Sequence, residues 1–303
     1  MKKSIFFLFL ITIFSSKIYG QSDTILIKSH LTALTKTNGF RTFDNLEQLN
    51  KTAEYILSVF RKYSDSCYIQ PFKVDGREYK NIICSFGTEH KKRIVTGAHY
   101  DVCENQEGAD DNASGITALL ELARMLKGKK LKHRIDLVAY TLEEPPYFRT
   151  EQMGSYIHAK SLHDINADVY GMISVEMIGY FDDAKKSQTY PLSLFSLFYG
   201  NRSNYITLVK KYGAGKFTRR FCSSFKSNRI IRSKKFAGPA ALPGIDFSDH
   251  LNYWKFGYSA LMITDTSFYR NKNYHKRTDK METLDIKRMA KVIDCLFLTL
   301  CGD

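Results

Sequence analysis

Short apolar runs of strand length alternate with amphipathic helical segments along most of the 303 residues, and the apolar runs end on acids or histidines. Residues 45–63 repeat apolar positions at helical spacing (Leu49, Ala53, Ile56, Leu57, Phe60). "CYIQPFKV" and "YKNIICSFG" alternate as paired strands, and "KRIVTGAHYD" is a third strand. The helix "SGITALLELARMLKG" follows, with Gly128 near its end, then the strand "RIDLVAYTL" and a helix near "GSYIHAKSLH". "VYGMISVEMIG" and "YSALMITD" are further strands, "LDIKRMAKVIDCLFLTL" is a closing helix, and residues 181–245 read as a long irregular stretch. Such alternation requires a mixed, mostly parallel central sheet with helices on both faces. The expected fold is therefore a single three-layer α/β/α domain, without repeats or an internal linker.

Residues 1–20 form a separate segment. Lys2 and Lys3 precede an apolar run from Ile5 to Phe14, followed by small and polar residues. The run is too short to span a bilayer and has the layout of a signal peptide, so residues 21–303 are expected to be exported, periplasmic or extracellular. An uncleaved anchor is the alternative. The first cysteine is Cys67, which gives no lipid-modified N-terminal cysteine near the junction.

Formal net charge is +14 from 45 basic and 31 acidic residues. The leader supplies three lysines and no acid, leaving +11 for the remainder. The basic groups are scattered ("HKKR", "KGKKLKHR", "RSKK", "YHKR") and lie in no nucleic-acid motif, so they read as solvated surface. No nucleic-acid partner and no stable membrane insertion after cleavage are expected. The six cysteines show no CxxC and define no pairing. Cys103, between His99 and Asp111, reads as loop filler, with a thiol beside a metal as the sharper alternative.

The chemistry gathers at the strand ends. "TLEEPP" closes a buried strand with Glu143 and Glu144 side by side and then two prolines, which forbid the strand from continuing. "GAHYD" places His99 and Asp101 on one side by two-residue alternation. "GADDNASG" sets Asp110 and Asp111 before a helix, "VEMIG" supplies Glu176, "FSDH" Asp249 and His250, and "NYHKRTD" His275 and Asp279. In open α/β sheets the loops beyond the strand ends converge on one crevice. Histidine with carboxylate suits zinc better than calcium or magnesium, and the donors exceed what one zinc needs.

These motifs, in this order, resemble the zinc exopeptidases of the bacterial leucyl aminopeptidase type, a family that includes glutamate carboxypeptidase II and glutaminyl cyclase. The resemblance runs from about residue 50 to 295 and rests on "GAHYD", "GADDNASG", "EEPPYFRTEQMGS", "VEMIGYF", "PGIDFSDH", "GYSALMITDTSFYRN" and "NYH". It implies two zinc ions: His99 and Glu176 on one, Glu144 and His275 on the other, Asp111 bridging. Asp101 would steady the His99 ring, and Tyr274 would help stabilise the tetrahedral intermediate. Relatives often carry Asp where this chain has Glu176, whose extra methylene displaces the carboxylate.

The implied reaction is removal of N-terminal residues from peptides. Glu143 as general base would take a proton from a zinc-bound water, the resulting hydroxide would attack the scissile carbonyl, and Glu143 would return the proton to the leaving amine. A free α-amino group beside Glu143 or Glu176 would explain exopeptidase specificity. The competing activity is a single-zinc glutaminyl-peptide cyclotransferase, whose relatives usually carry Trp before the last His, where this chain has Tyr274. A binding module lacking the chemistry is the third reading. Residues 181–245 read equally well as a wall of the substrate pocket or as ordinary covering structure.

Overall fold

A computed structural model describes residues 21–302; the expected signal segment at 1–20 lies outside them. Two helices open the chain, α1 (Thr24–Thr35) and α2 (Leu46–Tyr63). Asp23 caps the first by accepting the N–H groups of Ile25 and Leu26, and Asn45 caps the second at the N–H of Gln48. Glu47 in the first turn of α2 and Arg61 and Lys62 in its last complement the helix dipole.

The remaining elements are β1 (Ser66–Val74), β2 (Arg77–Phe86), β3 (Arg93–His99), α3 (Gly115–Leu126), β4 (Arg134–Tyr140), α4 (Gly154–Asp164), β5 (Val169–Glu176), α5 (Phe195–Tyr199), β6 (Ile206–Lys211), α6 (Gly215–Ser227), β7 (Ser233–Gly238), α7 (His250–Lys255), β8 (Ala260–Thr264) and α8 (Ile286–Gly302). The eight strands form one sheet in the order β1-β2-β4-β3-β5-β8-β6-β7. The central run β4-β3-β5-β8 is parallel throughout, as is β6 with β7, while β1/β2, β2/β4 and β6/β8 are antiparallel. The outermost strands carry Pro71 and Lys73 at one edge and Lys234 and Lys235 at the other, residues that discourage edge-to-edge pairing.

Side-chain alternation sorts the strand residues between two cores. Ile82, Cys84, Ile135, Leu137, Ile173, Val175, Leu261 and Ile263 pack on one face with residues of α1, α2, α3, α6 and α8. Ile83, Val95, Val138, Tyr140 and Met172 pack on the other with Ala159 and Leu162 of α4 and Tyr253 of α7. The three layers are those expected.

Residues 181–245 differ from the irregular stretch expected, because they contain α5, β6, α6 and β7. The strand β6 ends on two lysines, and the edge strand β7, "SKKFAG", is half-buried and poor in β-branched residues, so neither gives a strong pattern. Helix α6 does carry a signal: Phe217, Phe221 and Phe225 recur at four-residue spacing and are buried. Among the described residues no helix is long and apolar enough to cross a membrane, and all six cysteines are free.

Candidate active site

Because the four central strands run parallel, their carboxyl ends share one rim of the sheet. His99 is the last residue of β3 and Glu176 the last of β5. Glu143 and Glu144 follow β4, Asp111 sits in the turn before α3, and His275 lies in the loop after β8. The fold brings all of them together.

Asp111 stands between the two histidines. Its Oδ1 is 3.4 Å from His99 Nε2 and its Oδ2 3.2 Å from His275 Nε2. Glu176 Oε2 lies 3.4 Å from His99 Nε2, and Glu144 Oε2 lies 3.3 Å from His275 Nε2. Glu143 Oε2 is 3.8 Å from His99 Nε2. His99, Asp111, Glu143, Glu144 and Glu176 are all buried, yet His99 Nε2, His275 Nε2 and Glu144 Oε1 have no hydrogen-bond partner. Buried polar atoms left this way are costly unless something else satisfies them. Four bonds of 2.0–2.1 Å arranged tetrahedrally, as zinc makes to nitrogen and oxygen, set neighbouring donors about 3.3 Å apart. The observed separations of 3.2–3.4 Å match that edge on both sides of Asp111. The donor set fits a pair of such ions.

The supporting hydrogen bonds orient these donors. Glu176 Oε2 accepts from Ser248 Oγ at 2.8 Å and Asn112 Nδ2 at 3.3 Å, so its longer arm still reaches His99 and is held there. Asn112 also accepts the N–H groups of Gly115 and Met177, tying the turn to the end of β5. Gly115 permits this approach, since a Cβ there would collide with Asn112 Oδ1 and Val175 O. Asp279 accepts the N–H groups of Asp110 and Asp111, and Asp110 in turn accepts from Gly179 N and Asn271 Nδ2. Asp110 and Asp279 are thus scaffolding for Asp111.

Asp101 was expected to steady the His99 ring. Its main-chain carbonyl is 3.2 Å from His99 Nδ1, whereas its carboxylate Oδ1 stands 3.6 Å away. The carboxylate instead accepts the N–H of Glu143 at 3.3 Å and of Glu144 at 3.1 Å. Tyr274 stacks on His275 with ring centroids 3.8 Å apart and planes 20° apart. Asp249 is buried with neither carboxylate oxygen paired, while His250 is structural, bonding Ile245 O at 2.7 Å and meeting the Trp254 ring edge-on.

Electrostatics follow from packing so many acids out of water. Burial pushes the Glu143 carboxyl well above the ordinary range; His99 opposes the shift, and Glu144 and Glu176 add to it. Burial and the Asp111 carboxylate raise Glu144 to about 7. Burial works against a charged His275, but Asp111 and Glu144 outweigh it and raise its pKa. Burial, with Asp111 and Glu144 nearby, keeps the Tyr274 phenol protonated and able to donate.

A cavity of about 270 Å³ opens from these residues. Glu143, Glu144, Glu176, Tyr274 and His275 line its polar end, and Phe148, Tyr190, Val209, Phe247, Met262 and Phe268 its apolar body. Residues 188–245 supply much of its wall, which favours the first of the two readings of that stretch. Arg149 binds both Asp246 oxygens at 2.6 Å and lies over the rings of Phe148 and Phe247, which line the cavity.

The model of peptidase family M28 matches residues 81–299, which include every one of these donors. The chain belongs to peptidase family M28. Among its relatives, the uncharacterized Escherichia coli protein YfbL is 42% identical over 269 residues, covering 86% of this chain and 82% of that one. A probable leucine aminopeptidase of Arthroderma otae is 25% identical, over 84% of this chain and 68% of that one. Two solved structures share the fold at a TM-score of 0.70. One is the Legionella pneumophila LapA aminopeptidase (19% identical, 92% of this chain and 71% of that one); the other is a Bacteroides thetaiotaomicron glutaminyl cyclase (17%, 93% and 99%). The M28 fold therefore accommodates both kinds of enzyme, and the choice between them rests on site chemistry.

Several residues around the M28 site escaped the sequence reading. Ser248 sits beside the flagged Asp249 in "FSDH" but is the one that holds Glu176. Asn112 follows Asp111 directly. Neither has a signal beyond adjacency to a ligand. Cys103 shares a neighbourhood with Glu144 and His275.

Proposed function

We propose that this M28 protein is a zinc-dependent aminopeptidase with Glu143 as general base. The observation that carries the reading is the position of Asp111, with one oxygen towards His99 and the other towards His275. Such a placement gives two donor sets that share one carboxylate: His99, Asp111 and Glu176, and His275, Asp111 and Glu144. When bound, two divalent ions would activate water and polarise the scissile carbonyl.

The protein's own groups do the rest. Glu143 faces the His99 set, 3.8 Å from His99 Nε2, where its carboxylate can accept a proton from the attacking water and pass it to the leaving amine. Tyr274, held by its stack on His275, donates a hydrogen bond towards the developing oxyanion. Glu176 and Glu143 offer negative charge to a free α-ammonium group, which an internal peptide bond lacks. The apolar cavity then receives the first side chain, favouring large hydrophobic or aromatic N-terminal residues. Export through the N-terminal segment would place the activity outside the cytoplasm.

Hydrolysis of aminoacyl amides by the purified protein tests this, assayed beside N-terminal glutaminyl peptides. Activity on leucyl and phenylalanyl amides that a strong chelator abolishes and zinc or cobalt restores is expected. Cyclisation of glutaminyl peptides with one zinc per chain would instead make it a glutaminyl cyclase, and full activity after metal removal would end both readings.

A further inference from the structure

The two donor sets are not equivalent, and the difference lies in a side chain that the aminopeptidase reading leaves unused. Cys103 Sγ, a Glu144 carboxylate oxygen and a His275 ring nitrogen all lie within 4.8 Å of one another. No cysteine accompanies His99, Asp111 and Glu176. The neighbouring Glu144 is 4% exposed, and its Oε1 has no hydrogen-bond partner although its other oxygen faces His275.

The loop bearing the thiol is clamped. Arg41, buried, donates from Nε to Tyr100 O at 2.8 Å on one side of Cys103. On the other side it donates to Glu107 O at 2.9 Å and Gly108 O at 3.1 Å, while its Nη1 also binds Leu34 O. Val102 N–H adds a main-chain bond to Arg41 O at 3.0 Å. Residue 103 is therefore presented to the site by fixed backbone, and it is only 9% exposed.

We propose that Cys103 is a ligand of the metal held by His275, Glu144 and Asp111, which makes the two positions chemically distinct. The inference rests on the two-metal reading above. With the thiolate, that position has four protein donors, one of them soft, the composition of a closed zinc site. The other would keep three donors of nitrogen and oxygen, with Glu143 beside them, its Oε2 3.8 Å from His99 Nε2. Ligation displaces the thiol proton to solvent and involves no electron transfer. The closed position fills first and holds its ion most tightly; the open one exchanges readily and carries the reaction.

Cobalt titration of the metal-free protein tests this by absorbance. The first equivalent of cobalt should bring in a near-ultraviolet thiolate-to-cobalt charge-transfer band that saturates at one equivalent. Aminopeptidase activity should appear mainly with the second. In Cys103→Ser the band should vanish while visible d–d absorption still reports bound cobalt, and affinity for the first equivalent should fall by at least ~10–100-fold, the scale for losing even an outer partner of a metal ligand. Two equivalents bound without the band, or a band that survives in Cys103→Ser, would overturn the assignment while leaving the two-metal reading standing. Failure to bind cobalt at all would overturn both.

Discussion

Asp101 and Glu144 are joined through the main chain, with Oδ2 of Asp101 accepting the Glu144 N–H at 3.1 Å. Its other oxygen accepts the Glu143 N–H at 3.3 Å. One buried carboxylate thus fixes the backbone of both glutamates where β4 ends, just ahead of Pro145 and Pro146. Adjacent side chains on a fixed backbone diverge, so Glu144 turns to His275 and Glu143 to His99.

Removing that anchor should damage fold and site together. Asp101→Ala leaves two buried N–H groups without an acceptor, at about 1–3 kcal/mol each. We expect a lower urea midpoint in the metal-free protein and weaker zinc binding in titrations. Asp101→Asn, which keeps one acceptor oxygen, should fall between that variant and the wild type. Unchanged zinc affinity in Asp101→Ala would show that the anchor does not position the glutamates.

The cavity's apolar body makes a separate expectation about selectivity. Val209 is 5% exposed and lines the cavity from β6. Val209→Phe should lower kcat/KM for phenylalanyl and leucyl amides by on the order of tenfold, while alanyl amide changes little, since one or two methylenes in such a pocket are worth ~1–3 kcal/mol. A uniform loss across the series would place the side-chain pocket elsewhere.

Stability should fall in mild acid for a reason away from the metal residues. Burial lowers His158 and His250 to about 4, below the value of about 6.5 for a free imidazole. Between those values the unfolded chain binds more protons than the folded one. The contribution is therefore complete above pH 6.5 and is lost as pH falls towards 4, up to about 3 kcal/mol per histidine. Urea midpoints at pH 7.5 and 5, with chelator present throughout, should differ less in His158→Gln and in His250→Gln than in the wild type. Equal differences would remove these two histidines from the explanation.

Much of the site was legible because its chemistry sits at strand ends, where apolar periodicity stops abruptly. His99, Glu143, Glu144 and Glu176 stand out for that reason, and the parallel strands guarantee that they meet. Asp111 and His275 were candidates beside Asp110 and Asp279, and only the family resemblance singled them out as ligands, because each lies in a loop whose path periodicity does not describe. β6 and β7 were missed because lysines occupy so much of their short sequences. The division of labour within "SDH" was illegible for a different reason: which of Ser248, Asp249 and His250 touches Glu176 depends on the turn into α7. Cys103 was visible only as a neighbour in sequence; its place beside Glu144 and His275 depends on the clamp of Arg41, which lies 62 residues earlier in the chain.

The most direct test sets Glu143→Gln beside Glu144→Gln, with metal analysis and kinetics on the same preparations. Glu143→Gln keeps size and hydrogen bonding but removes the base, so both metals should remain while turnover falls by roughly 10²–10⁴-fold. Glu144→Gln removes an anionic donor from the His275 set, so metal content should drop and excess zinc should recover part of the rate. Equal loss of metal from both variants, or near-normal turnover in Glu143→Gln, would contradict the assignment of base to one glutamate and ligand to the other.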